Sequence, residues 1–334
     1  MTLDDTLYQL YTIISKTPIL DSISILQIDE PIVLEYGHLG INATTFRDLC
    51  LYAVERFDKY VNCNEYQTHL DMLSAVLILL NPDDSRFWIY RRRKIKKSPI
   101  STLEGLKSEL WFAEHPVKVK PKSGEPFQHC RWLLQEHKHL VTSAIIETQL
   151  HLCQRASSGY PKNYYSWNHR LWLLKNFGNL MDLDAELTWT TGWVKMHVSD
   201  FSGLNYRFNL IINLNYPTSS TKTSEEWTAS TIVKSTGVKS TDSSTGVLGS
   251  SARKRLSQAV VSEIIWICDL VAFYPDRPAL WSYLKMMILY CDTNKFEYAK
   301  RCKKQIHAVQ KIKNKHSEAF WDTAIISNLF GVGL

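Results

Sequence analysis

An aromatic-and-arginine frame recurs along this chain about every forty residues, and that recurrence leaves few folds open. It reads Phe87-Trp88-Ile89-Tyr90-Arg91 in one place and Tyr164-Tyr165-Ser166-Trp167-Asn168-His169-Arg170 in another. Weaker copies are Gly203-Leu204-Asn205-Tyr206-Arg207 and Leu280-Trp281-Ser282-Tyr283-Leu284. A fifth is Phe127-Gln128-His129-Cys130, with Arg131 one place late. The key positions 88, 127, 167, 204 and 281 are separated by 39, 40, 37 and 77 residues, the last step containing an insertion. Glu109, Glu147, Glu186 and Glu263 precede the last four of them by 18, 20, 18 and 18. A unit of about 38 residues holds two helices of three to four turns with their connections, the size of a helical-repeat module.

The residues within each unit agree. Thr142–Gln154, Leu183–His197 and Leu256–Ala272 carry apolar residues at three-and-four spacing, the mark of an amphipathic helix. Turn residues fall between the helices of each pair: Asn81-Pro82, Pro121 to Pro126, Gly159-Tyr160-Pro161, Ser202-Gly203 and Tyr274-Pro275. The predicted fold is therefore all-α, a right-handed α-α superhelix of at least five helical hairpins with almost no sheet. Trp88, Arg91, Phe127, Arg131, Trp167, Arg170, Arg207 and Trp281 are its structural repeat motif. They open each second helix, where residues three apart share a face.

The predicted organisation has four parts. Residues 1–69 form a partly helical N-terminal segment, helical over Leu7–Ile14 and extended in character over Ile23–Val33; residues 70–217 hold repeats one to four. Residues 218–252 form a Ser/Thr-rich loop, and 253–334 hold repeat five and C-terminal capping helices, including an apolar run at Phe320–Leu329. From Thr218 to Ser251, 18 of 34 residues are Ser or Thr and Trp227 is the lone aromatic. Such a segment buries too little apolar surface to offset its ordering entropy, so disorder is expected there.

Charge and cysteine usage exclude several functions. The balance of 39 basic and 33 acidic residues, +6, is too mild for a nucleic-acid-binding domain. Arg91 to Lys97 holds six basic residues in seven, and docking of acidic proteins on an outer helix face is its expected role. The seven cysteines are scattered and never spaced Cys-x-x-Cys, so no metal site is expected; a reducing, cytoplasmic location is. His115, His137, His139 and His151 read as surface or satisfied polar residues. The acidic start Met1-Thr2-Leu3-Asp4-Asp5 lacks the pattern of a signal peptide, and the apolar run Ala75–Leu80 is too short to cross a bilayer. The terminal Gly331-Val332-Gly333-Leu334 lacks the cysteine of a prenylation substrate.

The run Pro161-Lys162-Asn163-Tyr164-Tyr165-Ser166-Trp167-Asn168-His169-Arg170 resembles the Asn-Tyr-x-x-Trp-x-x-Arg repeat of protein prenyltransferase α-subunits. Outside the repeats, Glu30-Pro31-Ile32-Val33-Leu34-Glu35, Leu39-Gly40-Ile41 and Leu77 to Asp83 resemble a divergent branch, the α-subunit repeat-containing proteins. The resemblance implies the α-type subunit of a heterodimeric protein geranylgeranyltransferase, inactive alone. Its partner would be a β-subunit of the Rab geranylgeranyltransferase type, carrying the zinc, with geranylgeranyl diphosphate as co-substrate and no cofactor on this chain. The substrates implied are cysteine thiols near the C-termini of Rab-type GTPases or SNARE-like proteins. Lys122, five places before Phe127, would contact the departing diphosphate, and the Tyr that should follow two places on is Gly124 here. Lys162, Asn163, Tyr164 and Tyr165 would face substrate or partner.

The alternative is a non-enzymatic helical-repeat scaffold of tetratricopeptide type, whose period of about 34 is shorter than the steps found here. Deleting Thr218–Ser251 is expected to leave the melting temperature nearly unchanged. A large drop in a thermal scan would show that the segment packs.

Overall fold

The computed structural model describes residues 2–16, 20–63, 66–215 and 250–312. They contain thirteen α-helices and one three-stranded sheet, so the chain is all-α in class. Two compact units are separated at Met181–Asp182. The expected loop at 218–252 and the capping run at 320–329 fall mostly or wholly outside the described residues. Where description resumes, a helix already begins at Ser250, three residues before the expected start, so a deletion that spares it stops at 249.

The first unit opens with α1 (Leu3–Lys16), β1 (Ser22–Leu26), β2 (Ile32–Glu35), β3 (His38–Asn42) and α2 (Ala43–Tyr60). The stretch read as extended over Ile23–Val33 is two strands flanking a central third: β3 runs parallel to β1 and antiparallel to β2. Tyr36 and Gly37 join β2 to β3 with positive φ at both positions (48° and 82°), the backbone of a tight hairpin turn. Asn42 then ends the sheet and starts α2 by accepting from the amides of Thr44 and Thr45 at 2.8 and 3.0 Å.

Three helical hairpins follow: α3 (Gln67–Leu80) with α4 (Ser85–Lys97), α5 (Leu103–Val119) with α6 (Glu125–Glu136), and α7 (Ser143–Gly159) with α8 (Tyr164–Phe177). First helices pack on first helices (α3 on α5, α5 on α7), and second helices on second (α4 on α6, α6 on α8). This two-layer stacking gives each hairpin a neighbour to cover the apolar face it cannot bury alone. The second unit has α9 (Leu183–Met196) with α10 (Phe201–Asn215), α11 (Ser250–Phe273) with α12 (Pro278–Thr293), and α13 (Lys300–Gln310) against α11.

Local chemistry sets the period. The first helices α5, α7 and α9 start at side-chain caps on Thr102, Thr142 and Asp182, forty residues apart. Each cap accepts from the amide three residues on, at 3.1, 3.4 and 2.9 Å. The second helices α4, α8 and α10 are capped four places before the key positions 88, 167 and 204, where Asp84, Asn163 and Asp200 accept from the helix's first amides. The indole of Trp88 donates to the Pro82 carbonyl at 2.9 Å, and that of Trp281 to the Pro275 carbonyl at 2.6 Å. In both cases the proline stands six places upstream, as Pro121 and Pro161 do before Phe127 and Trp167. The key aromatic thus closes the turn that delivers it, and Trp88, Phe127, Trp167 and Trp281 are all buried.

Ser251–Phe273 of α11 has the length and mean hydropathy (1.6) of a membrane-crossing segment. In the second unit it is a core helix. Leu256, Val260, Ile264, Ile267 and Val271, at three-and-four spacing, are buried, and Glu263 is ion-paired inside the fold.

Thr142→Ala is expected to cost about 1 kcal/mol, the usual value of a side-chain cap, while Thr142→Ser holds near the parent value. Urea unfolding of the two variants reads the difference.

Candidate partner interface

The repeat arginines mark where hairpins meet. Arg91 on α4 grips Glu109 on α5 with two parallel hydrogen bonds, at 2.5 and 2.7 Å. The imidazole of His129 on α6 bonds the same carboxylate at 2.9 Å. The group repeats in the second unit, where Arg207 on α10 bonds Glu263 on α11 at 2.7 and 2.8 Å, and the Tyr283 hydroxyl on α12 donates to it at 2.9 Å. Arg207 also donates to the Leu187 carbonyl and to both hydroxyls of Thr190 and Thr191. Burial pushes the Glu109 carboxyl up, but the Arg91 charge and the bonds from His129 and Arg91 outweigh it and hold the group well below the usual range.

The hairpin α7–α8 departs from this plan, and Glu147 is not its member. Glu147 is exposed, with only the His151 imidazole near it at 3.9 Å. Gln149 takes the buried place and bonds the His169 imidazole at 3.1 Å. Gln149 precedes Trp167 by 18, so the structural spacing to the last four key positions is 18 throughout, as for Glu109, Glu186 and Glu263. Burial alone explains the swap, because Ile145, Ile146, Gln149 and Leu152 form the inner stripe of α7 and Glu147 lies off it. On that same plan His129, His169 and Tyr283 each stand two places after a key aromatic and twenty after their polar partner. That second spacing was visible in the sequence and went unread.

A cleft of about 380 Å3 opens across α4, α6 and α8, the second helices of three consecutive hairpins. Arg92, Gln128, Arg131, Gln135, Tyr164 and Asn168 supply its polar lining. Of the residues expected to face substrate or partner, Tyr164 and Tyr165 are exposed, at 64% and 42%. Their rings meet edge to face at 5.7 Å. The Tyr165 ring also fills the space beside Gly124: a Cβ there would lie 2.8 Å from its Cε1. A side chain at position 124 would therefore meet the Tyr165 ring of the next hairpin.

Asn163 is not partner-facing. It is buried, caps α8, and donates to the carbonyls of Pro121 and Ala156 at 2.7 and 3.3 Å. Its amide ties one hairpin turn to the next, and no donor is left over. Lys162 is exposed beside it at φ 60°, in the turn before α8. Lys122 is exposed in the equivalent turn before α6, its ammonium 4.2 Å from the Tyr160 ring and off the cleft lining. Trp167 and Arg170 are buried, and Arg170 donates to the Leu150 carbonyl at 2.9 Å. Phe127 packs on the His169 ring at 5.4 Å.

The basic run is half neutralised: Arg91 bonds Glu109, Arg92 reaches Glu125 at 3.4 Å and Lys94 reaches Asp71 at 2.6 Å. Two of the four histidines read as surface or satisfied are neither. His115 is buried beside Trp111, both its ring nitrogens lacking a partner among the described residues, and burial pushes its pKa down to about 3. His137 is buried too, with its Nε2 unpartnered.

A face of stacked second helices carrying an Asn-Tyr-x-x-Trp-x-x-Arg frame defines a class. The protein prenyltransferase α-subunit repeat matches residues 146–177 and 183–214, which are the hairpins α7–α8 and α9–α10. The chain thus carries two protein prenyltransferase α-subunit repeats within an all-α helical-repeat fold. Among individual proteins, it is 30% identical over 227 residues to protein prenyltransferase alpha subunit repeat-containing protein 1-B of Xenopus laevis, covering 60% of this chain and 52% of that one. To protein 1 of the same name in Homo sapiens it is 26% identical over 303 residues, 80% of this chain and 72% of the other. To the geranylgeranyl transferase type-2 subunit alpha of Sus scrofa it is 26% identical over 148 residues, 43% and 25% of the two chains. The chain spans about half the length of the Xenopus relatives it matches.

Glu109→Gln is expected to cost about 1–3 kcal/mol, because the part-buried Arg91 loses its carboxylate. Acid should act in two stages. His129 and His169 are pushed down by burial and stay neutral in the fold, whereas the unfolded chain takes up their protons below about pH 6.5. Stability therefore falls as pH drops from 7 to 5. The depressed Glu109 carboxyl adds a second loss below about pH 4.3, where the unfolded carboxylate protonates first. Urea midpoints across pH 7 to 3 check both stages, and Glu109→Gln should flatten the second.

Proposed function

We propose that this chain is the α-type subunit of a heterodimeric protein geranylgeranyltransferase, scaffolding a β-subunit of the Rab geranylgeranyltransferase type. One observation carries the reading: the repeat match at 146–177 coincides with α7–α8, the hairpin that presents Tyr164 and Tyr165 on an open face. The similarity to a geranylgeranyl transferase type-2 subunit alpha supports the lipid class. The reaction joins the thiol of a cysteine near a protein C-terminus to an isoprenoid and releases diphosphate.

Zinc is the metal of this chemistry, and the described residues do not fit it, since no three His, Cys, Asp or Glu side chains gather. Five cysteines are buried, and burial pushes the thiols of Cys130, Cys268, Cys291 and Cys302 up, away from the thiolate a metal needs. No step is routed through a metal on this chain, and the metal belongs with the partner. The role of this chain is to bind and to orient. Lys122 offers a positive charge at the turn before α6, where it would stabilise negative charge growing on the diphosphate oxygen. The Tyr160 ring beneath its ammonium holds the side chain at that turn.

A second reading, a scaffold without catalysis, is favoured by one detail: Gly124 stands where the resemblance implies a tyrosine. Reconstitution separates the two. The chain mixed with a Rab-type β-subunit, geranylgeranyl diphosphate and a cysteine-terminated acceptor should transfer lipid, and neither subunit alone should. Lys122→Ala should slow a single turnover by roughly ten- to a thousandfold with the heterodimer intact. If no β-subunit binds, the scaffold reading replaces this one; normal turnover by the variant removes Lys122 from the site.

A further inference from the structure

The cleft on α4, α6 and α8 contains a charge that the fold leaves without its counterpart. In the groups around Glu109 and Glu263, one guanidinium meets one carboxylate and one neutral third member, so each is balanced. Glu109 stands 18 residues after Arg91, and Gln149 stands 18 after Arg131. An amide thus occupies the place of the acid. The Arg131 guanidinium donates instead to Nδ1 of His169, at 3.4 Å. With Nδ1 accepting, the proton of His169 sits on Nε2 and points to the Gln149 carbonyl, 3.1 Å away. Arg131, His169 and Gln149 together carry one uncompensated positive charge, and no carboxylate of the described residues is paired with Arg131.

The neighbouring cation does not resolve this. Arg92 reaches Glu125 at 3.4 Å, a long contact, and its buried Nε has no partner. Two guanidinium groups against one carboxylate leave the cleft at about +1. Around them stand the amides of Gln128, Gln135 and Asn168 and the half-exposed Tyr164 ring. Arginine and tyrosine are residue types enriched in protein-binding hot spots.

We propose that this cleft receives an Asp or Glu side chain of a partner protein, which pairs with Arg131 and completes the group that Gln149 leaves open. Charge decides the occupant. A carboxylate brings one negative charge to a site short of one, and its two oxygens match the guanidinium fork. A diphosphate carries more negative charge than the cleft can balance. That the partner is the β-type subunit rests on the reading under Proposed function; the carboxylate itself does not.

The test titrates the full chain with a capped Glu-containing peptide, its Gln counterpart and inorganic diphosphate, and separately with a Rab-type β-subunit. The Glu peptide is expected to bind at least tenfold more tightly than the Gln peptide. Arg131→Gln should abolish that preference without lowering the melting temperature, and Arg131→Lys should keep part of it. Tyr164→Ala, an exposed change, should weaken the Glu peptide without erasing the preference. Arg131→Glu should weaken β-subunit binding at least tenfold. No Glu preference in the parent chain, a preference that survives Arg131→Gln, or Arg131-dependent binding of diphosphate tighter than of the Glu peptide would each overturn the inference. So would β-subunit binding by the parent chain that Arg131→Glu leaves unchanged. A parent chain that prefers the Glu peptide but binds no β-subunit discards the proposed enzyme and keeps the carboxylate site.

Discussion

The ion pair between the arginine of one hairpin and the glutamate of the next is the constraint on which the helical stack depends. Arg91 on α4, Glu109 on α5 and His129 on α6 bring three helices from two hairpins to one carboxylate. A charge in this position is costly unless its geometry is met. A shift of one turn in either hairpin would strand a buried ion. The apolar faces tolerate many sliding arrangements, and the buried group accepts few. Arg207, Glu263 and Tyr283 impose the same demand within the second unit.

Around this constraint the local devices are repetitive. Caps at Thr102, Thr142 and Asp182 start the first helices, and an indole-to-proline bond closes the turn before α4 and α12. Each contributes modestly by itself. Together they fix where these helices begin, so the arginine and the acid arrive on facing surfaces. The α7–α8 hairpin keeps the caps and the packing and gives up the acid. Its burial pattern is unchanged while its charge is not, and a neutral amide in a conserved geometry is what turns a structural arginine toward the open face.

Several misreadings share one cause. Glu147 was two places from Gln149, and only burial on the inner stripe of α7 tells a structural polar residue from a solvated one. Asn163 matched a recognisable motif, but its amide is taken by the Pro121 and Ala156 carbonyls from outside its own helix. His115 looked like any polar residue near a helix end and is buried against Trp111. The small sheet of the N-terminal segment is legible as extended chain, but its β1–β3 pairing joins residues sixteen apart, while the turn at Tyr36-Gly37 folds β2 back on β3.

The sequence by itself determined the class of fold, the period near forty, the helix pairs and the family resemblance, because these rest on spacing and on local chemistry that each segment carries alone. Tyr164 and Tyr165, expected to face substrate or partner, are exposed at the start of the helix whose Trp167 is buried. Only the tertiary structure decided which charges are balanced. Whether Arg131 has a carboxylate depends on what three helices distant in sequence bring beside it, here the His169 imidazole and the Gln149 amide. Electrostatic complementarity is a property of neighbours in space, and spacing along the chain does not report it.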